Sequence, residues 1–191
     1  ITGDPGTPFF FPLNKVRWQA DPIDTAIMVL VPETFPNNFI AEWEVQNQHP
    51  ESGLAIIFFA ATGQNGKDLF DTGLKPRTGV FKQYTKGDIN NYHISYYANT
   101  LTQKDRPFSH LRKNKGFKKV QSGQPGIPAS STAIHKLRLV KNNGHIQLFL
   151  DSSPIIDWID DNPFQEGKIG FRQMRWTQFA YRNFGVWSIA N

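Results

Sequence analysis

The sequence predicts an all-β protein, a sandwich or jelly roll of two antiparallel sheets. Fifteen glycines and 13 prolines are spread through the 191 residues and separate many short segments. Most of these segments are rich in β-branched and aromatic residues or alternate between apolar and polar residues, which is typical of strands. Patterns with a helical period are nearly absent. Many short strands joined by turns favour a sandwich or jelly roll over a mixed fold.

The first half of the chain contains four predicted strands. Residues 26–31 are a short apolar run, and residues 39–45 alternate, with Phe39, Ala41, Trp43 and Val45 on one face. Residues 54–61 are continuously apolar, which predicts a central strand covered on both faces. Residues 92–97 are aromatic and β-branched, and Tyr92, Ile94 and Tyr96 are expected to face the core.

The second half begins with the clearest hairpin. Residues 137–141 and 145–150 flank Asn142-Asn143-Gly144, and an Asn-Gly pair suits a tight turn with positive φ. Further strands are predicted at 155–159, 168–174 and 179–189. No repeat or low-complexity linker interrupts the chain, so residues 1–191 are expected to form a single jelly-roll domain.

Composition narrows the classes of function. No stretch approaches the roughly 18 consecutive apolar residues that span a bilayer, and the absence of cysteine excludes disulfides and thiolate metal sites. A net charge of +5 favours an anionic partner. Seven lysines and arginines lie between Lys104 and Lys119, a segment whose charge is typical of a solvated loop. No nucleic-acid-binding motif is present, so neither nucleic acid nor a membrane is the expected partner.

The last third of the chain has a recurring rhythm that resembles the concanavalin-like lectin/glucanase superfamily. It consists of a His-Lys-Leu-Arg-Leu strand, a tight turn, His-Ile-Gln-Leu-Phe-Leu-Asp and two closing strands with Gly-Lys-Ile-Gly-Phe-Arg and Ala-Tyr-Arg-Asn-Phe. This resemblance implies a concanavalin-like sandwich. It indicates a fold shared by glycan-binding and glycan-cleaving proteins, and it does not select one activity.

Several runs in the same order resemble a narrower group, the YesU-like family. They are Phe58-Phe59-Ala60-Ala61-Thr62-Gly63, Gly87-Asp88-Ile89-Asn90, His93-Ile94-Ser95-Tyr96, Leu111-Arg112-Lys113-Asn114, Gly116-Phe117 and Ile169-Gly170-Phe171-Arg172-Gln173-Met174. The resemblance implies acidic, uronate-containing glycans as ligands. Similar jelly-roll proteins of ulvan-degrading systems act as oligosaccharide dehydratases or lyases. Because the chain begins at Ile1 and not at Met, we expect a removed leader and a periplasmic or secreted location.

Elimination from a uronate needs a base for the proton beside the carboxyl group, a cation for the carboxylate and an acid for the departing oxygen. Side chains alternate along a strand, so His93, Ser95, Tyr97 and Asn99 are expected to share one face. We predict His93 and Tyr97 as the acid/base pair, with Ser95 and Asn99 as substrate contacts. The alternative is a solvated strand face.

Arginine binds carboxylates through two parallel hydrogen bonds. We therefore predict Arg112 as the carboxylate neutraliser and Lys113 as a further anion contact. Arg172 interrupts an apolar strand and is expected to be paired or to face a cleft. Tyr181 and Trp176 are candidate sugar contacts, and Tyr84 is a further candidate acid or base. His49 and His110 are expected at the surface.

Two other classes of function stay open. A non-catalytic carbohydrate-binding module would use aromatic platforms such as Trp176. A glycoside hydrolase would need paired carboxylates, for which Glu42 and Glu44 are the candidates. The predicted elimination requires no cofactor and no metal. Clustered aspartates, among them Asp157, Asp160 and Asp161, permit a structural Ca²⁺ but fit no EF-hand spacing. The sequence leaves the oligomeric state open.

Overall fold

The computed structural model describes residues 9–10, 27–50, 53–174 and 177–190, and it confirms the all-β prediction. The strands are β1 (Phe9–Phe10), β2 (Ile27–Leu30), β3 (Phe39–Asn47), β4 (Gly53–Gly63), β5 (Ile89–Asn99), β6 (His110–Asn114), β7 (Lys118–Ser122), β8 (Ile134–Asn142), β9 (His145–Leu150), β10 (Ser153–Ile159), β11 (Lys168–Gln173) and β12 (Phe179–Ser188). A 3₁₀ turn (Gln64–Gly66) and one short helix, α1 (Phe81–Thr85), lie between β4 and β5.

These strands form two six-stranded antiparallel sheets. The first sheet has the order β1-β12-β3-β8-β9-β10, and the second has the order β2-β11-β4-β5-β6-β7. The predicted hairpin joins β8 to β9, and Asn143 in its turn has a φ of 51°. Among the described residues, no helix is long and apolar enough to cross a bilayer.

The core lies between the inner faces of the two sheets. On β3 the predicted alternation holds, because Phe39, Ala41, Trp43 and Val45 are all buried. The Trp43 ring lies 5.4 Å from Phe171 on the opposite sheet, in an edge-on arrangement typical of aromatic cores. The expected inward orientation of Tyr92, Ile94 and Tyr96 is also confirmed, since all three belong to this core.

The outer face of the second sheet is covered by the segment between β4 and β5. On β4, Ile57 and Phe59 face the core, whereas Ile56 and Phe58 belong to a second apolar cluster with Leu69 and Tyr84. Residues 64–88 therefore pack over this outer face, and β4 is buried on both sides as its continuous apolar run predicts. The sequence does not predict α1, because five residues are too short to show a helical period.

The basic segment folds as a hairpin and not as the expected loop. Within it, β6 pairs with both β5 and β7. Its residues alternate, with Leu111 completely buried between strongly polar neighbours. The density of positive charge hides this alternation in the sequence, because a run of lysines and arginines is typical of a solvated loop.

Candidate functional site

The outer face of the second sheet brings together arginine and histidine side chains from three strands. His93 on β5 pairs with Phe58 on β4 and with Arg112 on β6, and Arg172 on β11 pairs with Ile56 on β4. Paired residues of neighbouring strands lie on the same face of a sheet. His93 and Arg112 therefore share one face, and Arg172 joins them. We call this region, which also includes Arg106 and His110, the cationic face.

His93 lies inside an aromatic cage. Its ring centroid is 5.0 Å from Phe58, 5.9 Å from Phe81 and 5.8 Å from Phe117, and the residue is only 2% exposed. Burial, and after it the charges of Arg112, His110 and Arg172, lower the pKa of His93 to about 3. The imidazole is therefore neutral at physiological pH.

A chain of amide hydrogen bonds fixes the tautomer of His93. Asn91 Nδ2 donates to the Tyr84 carbonyl at 2.8 Å, so Asn91 Oδ1 is free to accept from Asn114 Nδ2 at 2.7 Å. The other hydrogen of Asn114 Nδ2 then points to His93 Nδ1, which lies 2.8 Å away. Because Nδ1 accepts this bond in a neutral ring, Nε2 carries the proton. His93 is thus arranged as a hydrogen-bond donor through Nε2 and not as a base.

The two arginines beside His93 have no carboxylate partner among the described residues. Arg112 donates to the Phe117 carbonyl at 3.0 Å, and its guanidinium carbon lies 3.9 Å from the Phe117 ring centroid. Arg172 donates to the Gly79 carbonyl at 2.8 Å and lies 5.1 Å from the Phe81 ring. Burial lowers the pKa of both groups. The Nε of Arg172 is buried without a hydrogen-bond partner. A buried cation without a counter-ion is costly, so this arrangement favours an anionic ligand.

A third arginine extends the cationic face along β5 and β6. Arg106 donates to Ser95 Oγ at 2.9 Å and contacts His110 Nδ1 at 3.3 Å. Burial followed by the charge of Arg106 lowers the pKa of His110 to about 4, and its Nε2 is buried without a partner. The predicted substrate contact Ser95 is therefore occupied by Arg106. His110 is buried and does not lie at the surface as expected.

Sequence reasoning missed His110, Arg106 and Asn114 as parts of this face. The signal was present in the pattern of β6, where His110, Arg112 and Asn114 alternate with Leu111 and Lys113. Pairing that pattern with the polar row of β5 would have placed His110, Arg112 and Asn114 on the face of His93. Arg106 precedes β6 and is not part of this pattern.

Tyr97 does not share a face with His93, so the predicted acid/base pair is wrong. The pairing of β4 and β5 shifts between Ala55 and Ile56, and the extra residue turns Tyr97 inward. Tyr97 is 1% exposed, packs 5.0 Å from the Phe179 ring and donates to the Pro50 carbonyl at 3.3 Å. Burial raises its pKa.

Asn99 forms hydrogen bonds to the backbone of two loops, whereas the sequence predicted a substrate contact. It is 8% exposed, donates to the Pro50 carbonyl at 3.1 Å and accepts from the backbone nitrogen of Asp105 at 3.1 Å. These bonds hold the chain on both sides of the end of β5. Its burial follows from the same shift in pairing that moves Tyr97.

Two further predicted contacts also lie on the inner side of the sandwich. Lys113 forms an ion pair with Asp160 at 2.7 Å, so it is compensated and does not serve as a free anion contact. Burial alone would raise the pKa of Asp160, but the bonds from Lys113 and Tyr92 lower it. Tyr181 is in the core with its hydroxyl 3.3 Å from that of Tyr96, and burial raises its pKa to about 12. Trp176 lies outside the described residues.

The carboxylates proposed for hydrolysis lie on the outer face of the first sheet. Glu42 forms ion pairs with Lys136 at 2.9 Å and with Arg138 at 2.5 Å. Burial acts to raise the pKa of Glu42, but these two bonds outweigh it and lower the pKa. Glu44 accepts from Asn183 at 3.0 Å. A carboxylate held ionised in this way is a poor proton donor for glycoside hydrolysis.

The clustered aspartates are engaged with protein groups. Asp157 accepts from His145 at 2.7 Å, and Asp160 accepts from Tyr92 at 2.5 Å. Within the part of the chain that the structure describes, no three His, Asp or Glu side chains come together as a metal site. These contacts give no support to a structural Ca²⁺.

Comparisons with known proteins agree with this fold. A family model described as "Domain of unknown function (DUF1961)" matches residues 14–186. The chain is 37% identical over 164 residues to the uncharacterized protein YesU of Bacillus subtilis (strain 168), covering 81% of this chain and 74% of YesU.

Solved structures give the same result for the architecture. A protein of unknown function with a galectin-like fold from Bacillus subtilis superposes with a TM-score of 0.81 at 34% identity, over 87% of this chain and 79% of that chain. The carbohydrate-binding module CBM66 from Bacillus subtilis superposes with a TM-score of 0.57 at 14% identity, over 86% and 83%. The second likeness shows the fold alone.

Proposed function

Starting from the fact that the chain belongs to the DUF1961 family, we propose that it binds uronate-containing oligosaccharides on the cationic face and acts on them as a carbon–oxygen lyase by β-elimination. The observation that carries this proposal is the position of Arg112 and Arg172, which have no carboxylate partner among the described residues, on either side of a neutral, hydrogen-bond-donating His93. The sandwich fold shared with CBM66 is consistent with a sugar ligand.

Each group on this face has a role in the proposed elimination. Arg112 receives the carboxylate of the uronate, because its planar guanidinium matches two carboxylate oxygens and makes the neighbouring C–H more acidic. His93 donates a hydrogen bond from Nε2 to charge that develops on the substrate. The half-buried rings of Phe81 and Phe117, 5.5 Å apart, supply an apolar surface for the sugar ring.

Tyr84 replaces Tyr97 as the proposed proton acceptor. Its ring belongs to the cluster on the outer face and lies 5.7 Å from the Arg172 guanidinium carbon. Its hydroxyl makes no hydrogen bond to any described residue. The Tyr84 hydroxyl oxygen accepts the C5 proton and gives its own proton to the oxygen on C4. The electron pair of the C5–H bond forms the C4–C5 double bond while the C4–O bond breaks.

Two leaving groups fit this step. Departure of a sugar oxygen cleaves the glycosidic bond, as in a polysaccharide lyase, and departure of water makes the protein an oligosaccharide dehydratase. Ulvan-like oligosaccharides, which contain uronates, are the proposed substrates. The shared proton-abstraction step means that the same residues serve either outcome.

A non-catalytic carbohydrate-binding module is the second candidate, and one observation favours it. His93 is only 2% exposed and has Phe81 and Phe117 as neighbours, so little of its ring is open to a substrate. A binding module does not need contact with His93, since the arginines and the rings can hold a sugar from outside.

The first experiment mixes the protein with uronate-containing oligosaccharides and follows ultraviolet absorbance and product masses. Rising absorbance with smaller products identifies a lyase, because elimination creates an unsaturated uronate. Rising absorbance with the loss of one water and no smaller products identifies a dehydratase, because departure of water from C4 creates the same C4–C5 double bond. Binding without any new mass supports the binding module. If the protein neither binds these oligosaccharides nor produces a new mass, the proposal is contradicted.

The arginine variants test the site itself. Arg112→Gln should weaken binding by roughly 10- to 150-fold, because a hydrogen bond to a charged group contributes roughly 1.5–3 kcal/mol. Arg138→Gln makes the same change of net charge on the first sheet and should leave binding unchanged. Equal losses in the two variants, measured by titration calorimetry, would show that net charge and not the cationic face governs binding.

A further inference from the structure

A serine, a histidine and an aspartate meet at one end of the first sheet, on strands other than those of the cationic face. Ser131 lies in the loop before β8, His135 is near the start of β8, and Asp151 lies in the turn between β9 and β10. Ser131 Oγ is 2.7 Å from His135 Nε2, and His135 Nδ1 is 2.6 Å from Asp151 Oδ2.

Backbone contacts hold the outer members of this group in place. Asp151 Oδ1 accepts from the backbone nitrogen of Lys136 at 2.8 Å, and the backbone nitrogen of Asp151 donates to the Lys136 carbonyl at 2.9 Å. The backbone nitrogen of Ser131 donates to the Pro128 carbonyl at 3.0 Å. Gln46 Nε2 donates to the Thr132 carbonyl at 3.0 Å, which ties the loop to β3. The three side chains are therefore preorganised.

The order of these bonds is that of an activated nucleophile. Asp151 accepts from Nδ1–H, so the neutral ring accepts the Ser131 hydroxyl proton at Nε2, and the aspartate stabilises the imidazolium that forms. Ser131 is half-buried, and the side chains of His135 and Asp151 are 13% and 49% exposed, so solvent reaches the group.

One donor for a developing oxyanion is also available. The backbone N–H of Thr132 makes no hydrogen bond to any described residue. In serine hydrolases with a nucleophile elbow, the N–H of the residue after the nucleophile serves this purpose. Ser131 Oγ also accepts from the backbone nitrogen of Ala133 at 3.3 Å, which leaves its hydroxyl hydrogen to point at His135 Nε2.

We propose that Ser131, His135 and Asp151 form a second site that hydrolyses short-chain acyl esters such as acetyl esters. The residues around Ser131 are small or polar, Ser130, Thr132 and Ala133, which suits a small acyl group. This site is independent of the proposed elimination, because none of its residues lies on the cationic face.

The reaction balances without any added oxidant or cofactor. Ser131 Oγ forms a bond to the ester carbonyl carbon while its proton moves to His135 Nε2. The ester C–O bond then breaks, and the alcohol leaves with that proton. Water next attacks the acyl-serine and passes one proton to His135. The Ser131 C–O bond breaks, and Ser131 Oγ takes the proton back as the carboxylic acid leaves.

The test uses a fluorophosphonate label with peptide mass mapping, together with hydrolysis of p-nitrophenyl acetate. The wild-type protein should carry the label on Ser131. Ser131→Ala should abolish labelling and reduce hydrolysis by about 100-fold or more, since general-base catalysis contributes at least that factor. Asp151→Asn should reduce the rate of labelling and the rate of hydrolysis, although the Ser131 hydroxyl is still present.

Ser130→Ala is the matched control, because it removes the neighbouring exposed hydroxyl. It should retain labelling and hydrolysis. A wild-type protein that is not labelled on Ser131 overturns the proposal, and this measurement needs no variant to fold. Hydrolysis that persists in Ser131→Ala, or that is lost equally in Ser130→Ala, overturns it as well.

Discussion

The buried imidazole of His93 should make the protein less stable as the pH falls from 7 to 5. In the unfolded chain a histidine has a pKa near 6.5, whereas the pKa of native His93 is about 3. Between these two values the unfolded state binds a proton that the native state excludes. The free energy of unfolding therefore decreases as the pH falls below about 6.5, and the decrease ends near the native pKa.

The size of this effect at pH 5 depends only on the native pKa being well below 5. Protonation of the unfolded histidine stabilises the unfolded state by RT ln(1 + 10^(6.5 − pH)), which gives roughly 2 kcal/mol at pH 5 and roughly 0.2 kcal/mol at pH 7. Loss of stability from His93 should therefore be about 2 kcal/mol over this interval. The complete burial of the ring justifies using the full shift.

The assay is urea unfolding at several pH values for the wild type and for His93→Gln. Glutamine does not titrate, so the variant should lose about 2 kcal/mol less than the wild type between pH 7 and pH 5, whatever its absolute stability. His49→Gln, at an exposed position, is the control and should behave as the wild type does.

Equal losses in His93→Gln and the wild type would refute this account of the site. Nitrogen chemical shifts supply an independent measurement, since His93 should keep an unprotonated Nδ1 and a protonated Nε2 at pH 5. A doubly protonated ring at that pH would contradict both the pKa and the hydrogen-bond chain through Asn114.

Two substitutions test other parts of the structure. Tyr97→Phe should lower the free energy of unfolding by no more than about 1.5 kcal/mol, the value of one hydrogen bond, and should leave glycan binding unchanged; a loss of binding would return Tyr97 to the site. Gly126→Ala should destabilise by roughly 1–3 kcal/mol in thermal or urea unfolding, because its Cβ would lie 1.9 Å from the Tyr96 carbonyl oxygen. Gly66→Ala meets nothing within 4 Å and should cost less, despite a φ of +74°; equal costs would show that crowding does not set the loss at Gly126.

The fold was predictable because strand patterns are local. The alternation from Phe39 to Val45 and the Asn-Gly turn at residues 143–144 correspond directly to β3 and to the β8–β9 hairpin. The continuous apolar run in β4 required a cover on both faces, and residues 64–88 provide the outer one. The identity of that cover could not be read, since its short helix has no period and its contacts are distant in sequence.

The site was predictable only in part, because one inserted residue changes which face a side chain occupies. A strict alternation from His93 places Tyr97 on the same face, but the pairing shift between Ala55 and Ile56 turns it into the core. Such a shift depends on how the neighbouring strand pairs, and neither strand contains a glycine or proline at that point to mark it. His93 and Ser95 precede the shift and keep the predicted common face, whereas the sequence left the face of Arg112 undecided.

The distribution of compensated and uncompensated charge gives the strongest argument for a ligand. Lys113, Lys136 and Lys168 each have a carboxylate partner within 3.1 Å and therefore need no further anion. Arg112 and Arg172 have no such partner among the described residues, and they flank a histidine that is unable to carry charge near neutral pH. A cation that is buried, as Arg172 is, or half-buried, as Arg112 is, lowers stability when it has no counter-ion. Two such cations on either side of His93 are best explained by an anion that binds between them.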